Sequence, residues 1–249
     1  MGKKPPEIIE TTLLRGRVRL LQPKKGFHAS LDTVFLAAGA PSRPRARVLD
    51  IGCGVGSAGL CFLVRCPDAA LTGVDIQQDL IDLALQNAAL NGASGRCRFF
   101  CGDIRHEKTI DDNAFHLVMM NPPYLEAGKH TPSPEKIKAA SHGESANLED
   151  WIKYAHKKLK QGGDIVMIHR ADRLDDIIRA LTARRWFGSV VVHPLFSYAG
   201  EDARRVIVRA RKERYAPLVL KSGTVIHEVG GQYTAAAAGV LNDALELGV

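Results

Sequence analysis

No run of about 18 consecutive apolar residues occurs in this 249-residue chain, so the sequence offers no membrane-spanning helix. Residues 1–10, MGKKPPEIIE, lack the apolar core of a secretory leader, and export is not expected. The five cysteines, Cys53, Cys61, Cys66, Cys97 and Cys101, are odd in number and form no CxxC pair. That argues against a disulfide framework and against a zinc site, and reduced thiols in a cytoplasmic protein are the expectation. There is no internal repeat. The dinucleotide fingerprint GxGxxG is also missing, because Ser57 stands where its third glycine belongs.

What is present is an ordinary globular composition, 45% hydrophobic and 24% charged, with 34 Lys and Arg against 27 Asp and Glu. The resulting charge of +7 favours polyanionic partners without identifying one. Apolar runs of strand length alternate with segments of helical period. Strands are expected at Arg47–Ile51, Ala70–Asp75, Cys97–Ile104, Phe115–Met120, Asp164–His169, Val190–Val192 and Arg205–Val208. Helices are expected at Ser57–Arg65, Asp79–Asn91, Leu148–Leu159 (ended by Gly162-Gly163) and Ala171–Trp186. Such alternation implies a doubly wound, mostly parallel, seven-stranded α/β sheet with helices on both faces. The tail from Tyr215 reads as an appended strand and short helix. A single domain over 1–249 is expected, with an N-terminal covering segment (1–45), a core (46–214) and a C-terminal extension (215–249).

The first core strand runs directly into Asp50-Ile51-Gly52-Cys53-Gly54-Val55-Gly56. Glycines here let the backbone turn sharply and approach a ligand closely. Asp50 would repel a pyrophosphate and attract an amino-bearing ligand. Asp75 closes the second strand and can accept both hydroxyls of a ribose, while Asp103 closes the third and can accept an adenine amino proton beside the Ile104 amide. The three acids outline an adenosine-shaped cleft at the carboxyl ends of the strands. This set resembles the S-adenosylmethionine site of class I methyltransferases, which have a Rossmann-like fold. The resemblance implies S-adenosylmethionine as cofactor and Ile76 as a further contact beside Asp75.

Asn121-Pro122-Pro123-Tyr124 ends the fourth strand. Two prolines stiffen the turn. The Pro122 carbonyl and the Asn121 side-chain oxygen form a pair of acceptors suited to an NH2 group, and Tyr124 offers a stacking face. This NPPY motif is similar to that of methyltransferases acting on adenine N6, guanine N2 or glutamine amide nitrogen. The segment 26–38, with His28, Asp32 and Thr33, resembles the one that bacterial tRNA1(Val) adenine-N6 methyltransferases place over the cofactor. Asp32 and Thr33 are expected to cap the helix that follows and, with Asn121, to face the cofactor. tRNA is therefore the expected partner. Glutamine N5 methylation, guanine N2 methylation of ribosomal RNA and a non-catalytic RNA-binding protein are the alternatives.

Basic residues are grouped. Arg15, Arg17 and Arg19 would share one strand face, Lys129, Lys136 and Lys138 fall after the NPPY motif, and Arg204, Arg205, Arg209, Arg211, Lys212 and Arg214 form a late cluster that can grip RNA phosphates. Lys153, Lys157, Lys158 and Lys160 read as the polar side of an amphipathic helix, and Trp151 reads as core.

Overall fold

The computed structural model describes residues 6–25, 29–123 and 146–249. The chain opens with an antiparallel hairpin, β1 (Ile8–Leu13) and β2 (Val18–Pro23). The central sheet follows the order β5 (Cys97–Cys101), β4 (Ala70–Asp75), β3 (Arg47–Ile51), β6 (Phe115–Met120), β7 (Leu159–Arg170), β9 (Arg205–Lys212), β8 (Phe187–Phe196) and β10 (Val219–Leu220). β9 runs antiparallel to both its neighbours and the rest is parallel. β11 (Thr224–Val225) also pairs parallel with β8, so the tail adds two short strands to the seven expected.

Alternation along each strand divides the core between two faces. Val48, Leu71, Leu117, Met119 and Val166 face α1 (Leu31–Gly39), α2 (Ser57–Arg65), α3 (Gln78–Leu90) and α6 (Ala235–Asp243). Leu49, Ile51, Val118, Met120 and Met167 face α4 (Leu148–Lys158) and α5 (Leu174–Thr182). Strands covered on both sides read as unbroken apolar runs. Each large side chain so buried contributes about 1.5–3 kcal/mol.

Several boundaries differ from the sequence reading. β5 ends at Cys101, so Asp103 lies in the following turn rather than on the strand. α4 stops at Lys158, where the next residue turns extended, and Gly162-Gly163 fall inside β7. There β7 advances five positions, Leu159 to Asp164, against two on β6, an irregularity that Gly162 accommodates at φ +70°. The helix expected over Ala171–Trp186 is a 3-10 turn followed by the shorter α5. Arg15 sits in the hairpin turn at φ +54°, so it shares no strand face with Arg19. Lys158 is buried rather than part of a polar face, because Glu107 and Asp112 lie 3.3 and 3.0 Å from its Nζ and the Ile110 carbonyl also accepts from it.

Two asparagines one turn apart on α3 dock the hairpin. Asn91 exchanges hydrogen bonds with the Arg19 amide and carbonyl at 2.9 and 2.7 Å. Asn87 does the same with Leu21 at 2.7 and 3.0 Å, and its Nδ2 also donates to the Val55 carbonyl at 3.0 Å. Asn87 is fully buried and ties the hairpin to the glycine loop.

Candidate active site

Strand order reverses between β3 and β6, and the loops leaving their carboxyl ends enclose a cleft of about 490 Å3, its mouth included. A crevice at such a reversal is where open α/β sheets hold ligands. The glycine loop contributes Asp50, Gly52, Cys53, Gly54 and Val55, with Ser57 and Ala58 from the start of α2. Asn121 faces them from β6. Ala29, Thr33 and Leu36 close one side from α1, and Leu80 closes another from α3.

The loop's shape follows from its glycines. Gly52 has φ +67°, and a Cβ there would lie 2.5 Å from Trp151 Cη2, so Trp151 packs directly against the loop backbone. Gly54, at φ +52°, is the opposite case: a Cβ on it would meet no protein atom within 4 Å. Gly56 is the N-cap of α2 at φ +82°. The Gly54 amide donates to Asp75 Oδ2 at 2.9 Å and the Gln77 amide to Oδ1 at 3.0 Å, so Asp75 holds the loop in place.

Asp50 is 2% exposed, and its Oδ2 accepts from the Gly59 amide at 3.2 Å. Burial pushes its carboxyl up to about 7, against the Gly59 hydrogen bond and with help from the Asp75 charge. Burial also raises Asp75, despite the Gln77 and Gly54 amides. Cys53 lies in the same loop, and burial raises its thiol well above the ordinary range, which keeps it protonated.

The sequence-expected residues fall into two groups. Thr33, Asp50, Gly52, Cys53, Gly54 and Asn121 line the cleft together. Asp32, Gly56, Asp75, Ile76, Asp103, Ile104, Pro122 and Pro123 are not among its lining residues. Ile76 stands 59% exposed just past β4. Asp103 is clasped by Arg105, whose Nε lies 3.1 and 3.0 Å from its two oxygens, and this side-chain bond holds the carboxyl below its usual range. The cap expected from Asp32 is supplied by Ser30, whose amide donates to Thr33 Oγ1 at 3.3 Å, while Asp32 accepts from Arg205 Nε at 2.9 Å. Tyr124, His28 and Lys129, Lys136 and Lys138 lie outside the described residues. Sequence reasoning covered Ala29, Leu36 and Val55 only as parts of the covering segment and the glycine loop, and it missed Ser57, Ala58 and Leu80, small or apolar side chains on helices with no motif to mark them.

The late basic cluster does not hold together. Arg205 is at the carboxyl rim beside Asp32, whereas Arg209 and Arg211 reach Asp164 at the opposite end of the sheet. Lys212 is buried and donates to the His156 and Leu159 carbonyls and to Asn113. Residues on β9 alternate in face and run from one edge of the sheet to the other, so neighbours in sequence end far apart.

This strand order, with its antiparallel β9, an acid-bearing glycine loop on one side of the reversal and Asn121 on the other, defines a class I methyltransferase fold. The methyltransferase small domain model matches residues 28–183, and the chain belongs to that family. A tRNA1(Val) (adenine(37)-N6)-methyltransferase of Porphyromonas gingivalis is 33% identical over 59% of this chain, and the match spans 60% of that relative's length. The Aeromonas hydrophila protein of the same name is 26% identical over 82% of this chain and 84% of its own. A release factor glutamine methyltransferase of Chlorobaculum tepidum is 31% identical over 41% of this chain and 35% of its own. Among solved structures, a predicted O-methyltransferase of Agrobacterium tumefaciens superposes with a TM-score of 0.73 at 26% identity, covering 87% of this chain and 98% of that one.

No helix among the described residues is long and apolar enough to cross a membrane. The described residues hold no group of three or more His, Cys, Asp or Glu able to bind a metal ion.

Proposed function

We propose that this chain is an S-adenosylmethionine-dependent N-methyltransferase whose acceptor is adenine N6 in tRNA, acting in the cytoplasm. The observation that carries the reading is the cleft itself, in which Asn121 faces the glycine loop across the point where strand order reverses. The residues fit the cofactor. Open space over Gly54 leaves room for a ligand against the loop backbone. Asp50, buried and with no side-chain cation beside it among the described residues, suits an amino group. Asp75, at the end of β4 and held by uncharged donors, is placed to accept from a ribose hydroxyl. Ile76 offers an exposed apolar face for the base. When bound, S-adenosylmethionine supplies an electrophilic methyl group.

The chain's own contribution is to hold and polarise the acceptor. An amino group on an sp2 carbon is a poor nucleophile because its lone pair is delocalised. The Asn121 side-chain oxygen and the Pro122 carbonyl accept its two N–H hydrogens, turn the lone pair toward the donor and stabilise the positive charge that grows on nitrogen. Hydrogen bonds to a charged centre are worth about 1.5–3 kcal/mol each. Tyr124 stacks on the base. The Asn-Pro-Pro-Tyr run serves glutamine amides equally well, and the release factor relative keeps that second reading in play.

The test combines calorimetry with turnover. Asn121→Ala is expected to bind S-adenosylhomocysteine within about threefold of the parent while methyl transfer falls about 10²–10³-fold, the range for loss of one preorganised hydrogen-bonding group. Unchanged transfer overturns the role given to Asn121.

A further inference from the structure

At the end of the sheet opposite the cleft lies a second cavity, of about 550 Å3 with its mouth, between the loop after α1, the start of β6, Asp164 of β7 and Arg211 of β9. Ser42, Arg43, His116, Asp164 and Arg211 line it. Its charges do not balance. Arg47 starts β3 beside β6, and Arg209 and Arg211 project from the same face of β9. Asp164 must serve both, with its Oδ1 3.7 Å from Arg209 Nε and 3.1 Å from Arg211 Nε. Arg209 Nε is buried without a hydrogen-bond partner among the described residues. Asp111, largely exposed, is 3.6 Å from Arg47.

His116 makes the surplus of donors explicit. The Arg47 amide donates to its Nδ1 at 3.0 Å, so a neutral ring must carry its proton on Nε2. Lys160 Nζ, itself only a donor when charged, stands 3.0 Å from that Nε2. Two donors therefore face each other with no acceptor between them. Burial lowers the His116 pKa, and the charges of Lys160, Arg43 and Arg47 lower it further. The 3.0 Å contact between Lys160 and His116 leaves no room for an anion between them, but an anion in the adjoining cavity, in front of His116, Arg43 and Arg211, would accept from several donors at once and offset the surplus of positive charge.

We propose that this cavity is a phosphate-binding site, lined by Arg43, His116 and Arg211 with Lys160 beside His116, distinct from the methyl-transfer cleft. It lies the length of β3 away, on the order of 15 Å at about 3.3 Å per residue. The phosphate belongs either to the backbone of an RNA substrate held across the edge of the sheet or to a free phosphorylated metabolite. The chemistry is the same in both cases: a tetrahedral oxyanion forked by guanidinium groups and neutralised by an ammonium.

Inorganic phosphate titrated at fixed ionic strength is the probe, read by calorimetry and by the His116 imidazole resonances. Phosphate is expected to bind and to raise the His116 pKa, while chloride does neither. Arg43→Ala, an exposed position, and Lys160→Met are each expected to weaken phosphate binding at least fivefold and to leave S-adenosylhomocysteine affinity unchanged. Absence of phosphate binding, or equal binding by both variants, overturns the proposal. Competition by tRNA, with a salt dependence of RNA binding shallower by about one phosphate contact in Arg43→Ala, assigns the site to RNA backbone. Phosphate binding that tRNA does not displace assigns it to a small phosphorylated ligand. Neither result depends on methyl transfer, so failure of the proposed activity and failure of this site are told apart.

Discussion

Two sets of acids lie on neighbouring parts of this sheet and are treated in opposite ways. Asp50 and Asp75, around the glycine loop, accept from uncharged donors, backbone amides and for Asp75 also the Gln77 side chain, with no ion pair to either among the described residues, and burial raises both carboxyls. In segment 102–113, each acid of interest has a cation. Arg105 clasps Asp103, Lys158 sits between Glu107 and Asp112, and Lys157 adds a second partner to Asp112 at 3.3 Å. Burial works to raise Glu107, yet hydrogen bonds from Tyr154 Oη and the Ile110 amide, with the Lys158 charge, leave it below its usual range. An acid neutralised from within the protein is a structural tie. An acid met only by uncharged donors is poised for a ligand that brings its own positive charge or hydroxyls.

The comparison breaks most visibly in the structural set. Lys158→Met leaves buried Glu107 without a cation and Asp112 with Lys157 alone. The expected loss is about 3–5 kcal/mol, the cost of removing one partner of a buried pair. At roughly 2–4 °C per kcal/mol for a chain of this size, Tm falls by on the order of 10 °C or more in a thermal melt. An unchanged Tm contradicts the assignment of that cluster to structure.

Asn87→Ala is expected to cost about 1–3 kcal/mol by stranding buried backbone groups of Leu21 and Val55, read as a lower denaturation midpoint.

Asp50→Asn sharpens the other half. The folded-state pKa is raised, to about 7, above the ordinary value near 4. Asp50's contribution to stability is therefore present in full below pH 4 and lost as pH rises through about 7, because the ionised form is the one that burial penalises. The same ionised form attracts a cationic ligand. Affinity for S-adenosylhomocysteine should thus rise between pH 6 and pH 8 while the free protein's stability falls. In Asp50→Asn both slopes should flatten, affinity at pH 8 should drop roughly tenfold, and stability there should not fall. Parallel pH profiles for parent and variant contradict the role given to Asp50.

The smallest expected effect is at Arg205→Ala. Its pair with Asp32 is partly exposed, and such pairs contribute about 0–1 kcal/mol.

What was legible in the sequence is what depends on local pattern. The glycine loop and the strand–helix alternation are contiguous, and their spacing carries their meaning. Arg47–Ile51, Ser57–Arg65, Ala70–Asp75 and Phe115–Met120 have the expected bounds. What was not legible depends on partners distant in sequence. Lys158 is an ordinary helical lysine until Glu107 and Asp112, from another loop, close on it. Asp32 looks like a cap, but Arg205, 173 residues away, claims its carboxylate. The late arginines look like one cluster until β9 carries them to opposite ends of the sheet. Asn87 and Asn91 give no outward sign that they complete the hydrogen bonding of a strand.

The central proposal is that the cleft methylates the exocyclic N6 of an adenine in tRNA. It is tested most directly by incubating the protein with methyl-labelled S-adenosylmethionine and separate tRNA, ribosomal RNA and protein fractions, then identifying the product by mass. The account predicts label in tRNA as N6-methyladenosine, abolished by Asn121→Ala. Label confined to protein as methylglutamine, or to ribosomal RNA as N2-methylguanosine, contradicts it.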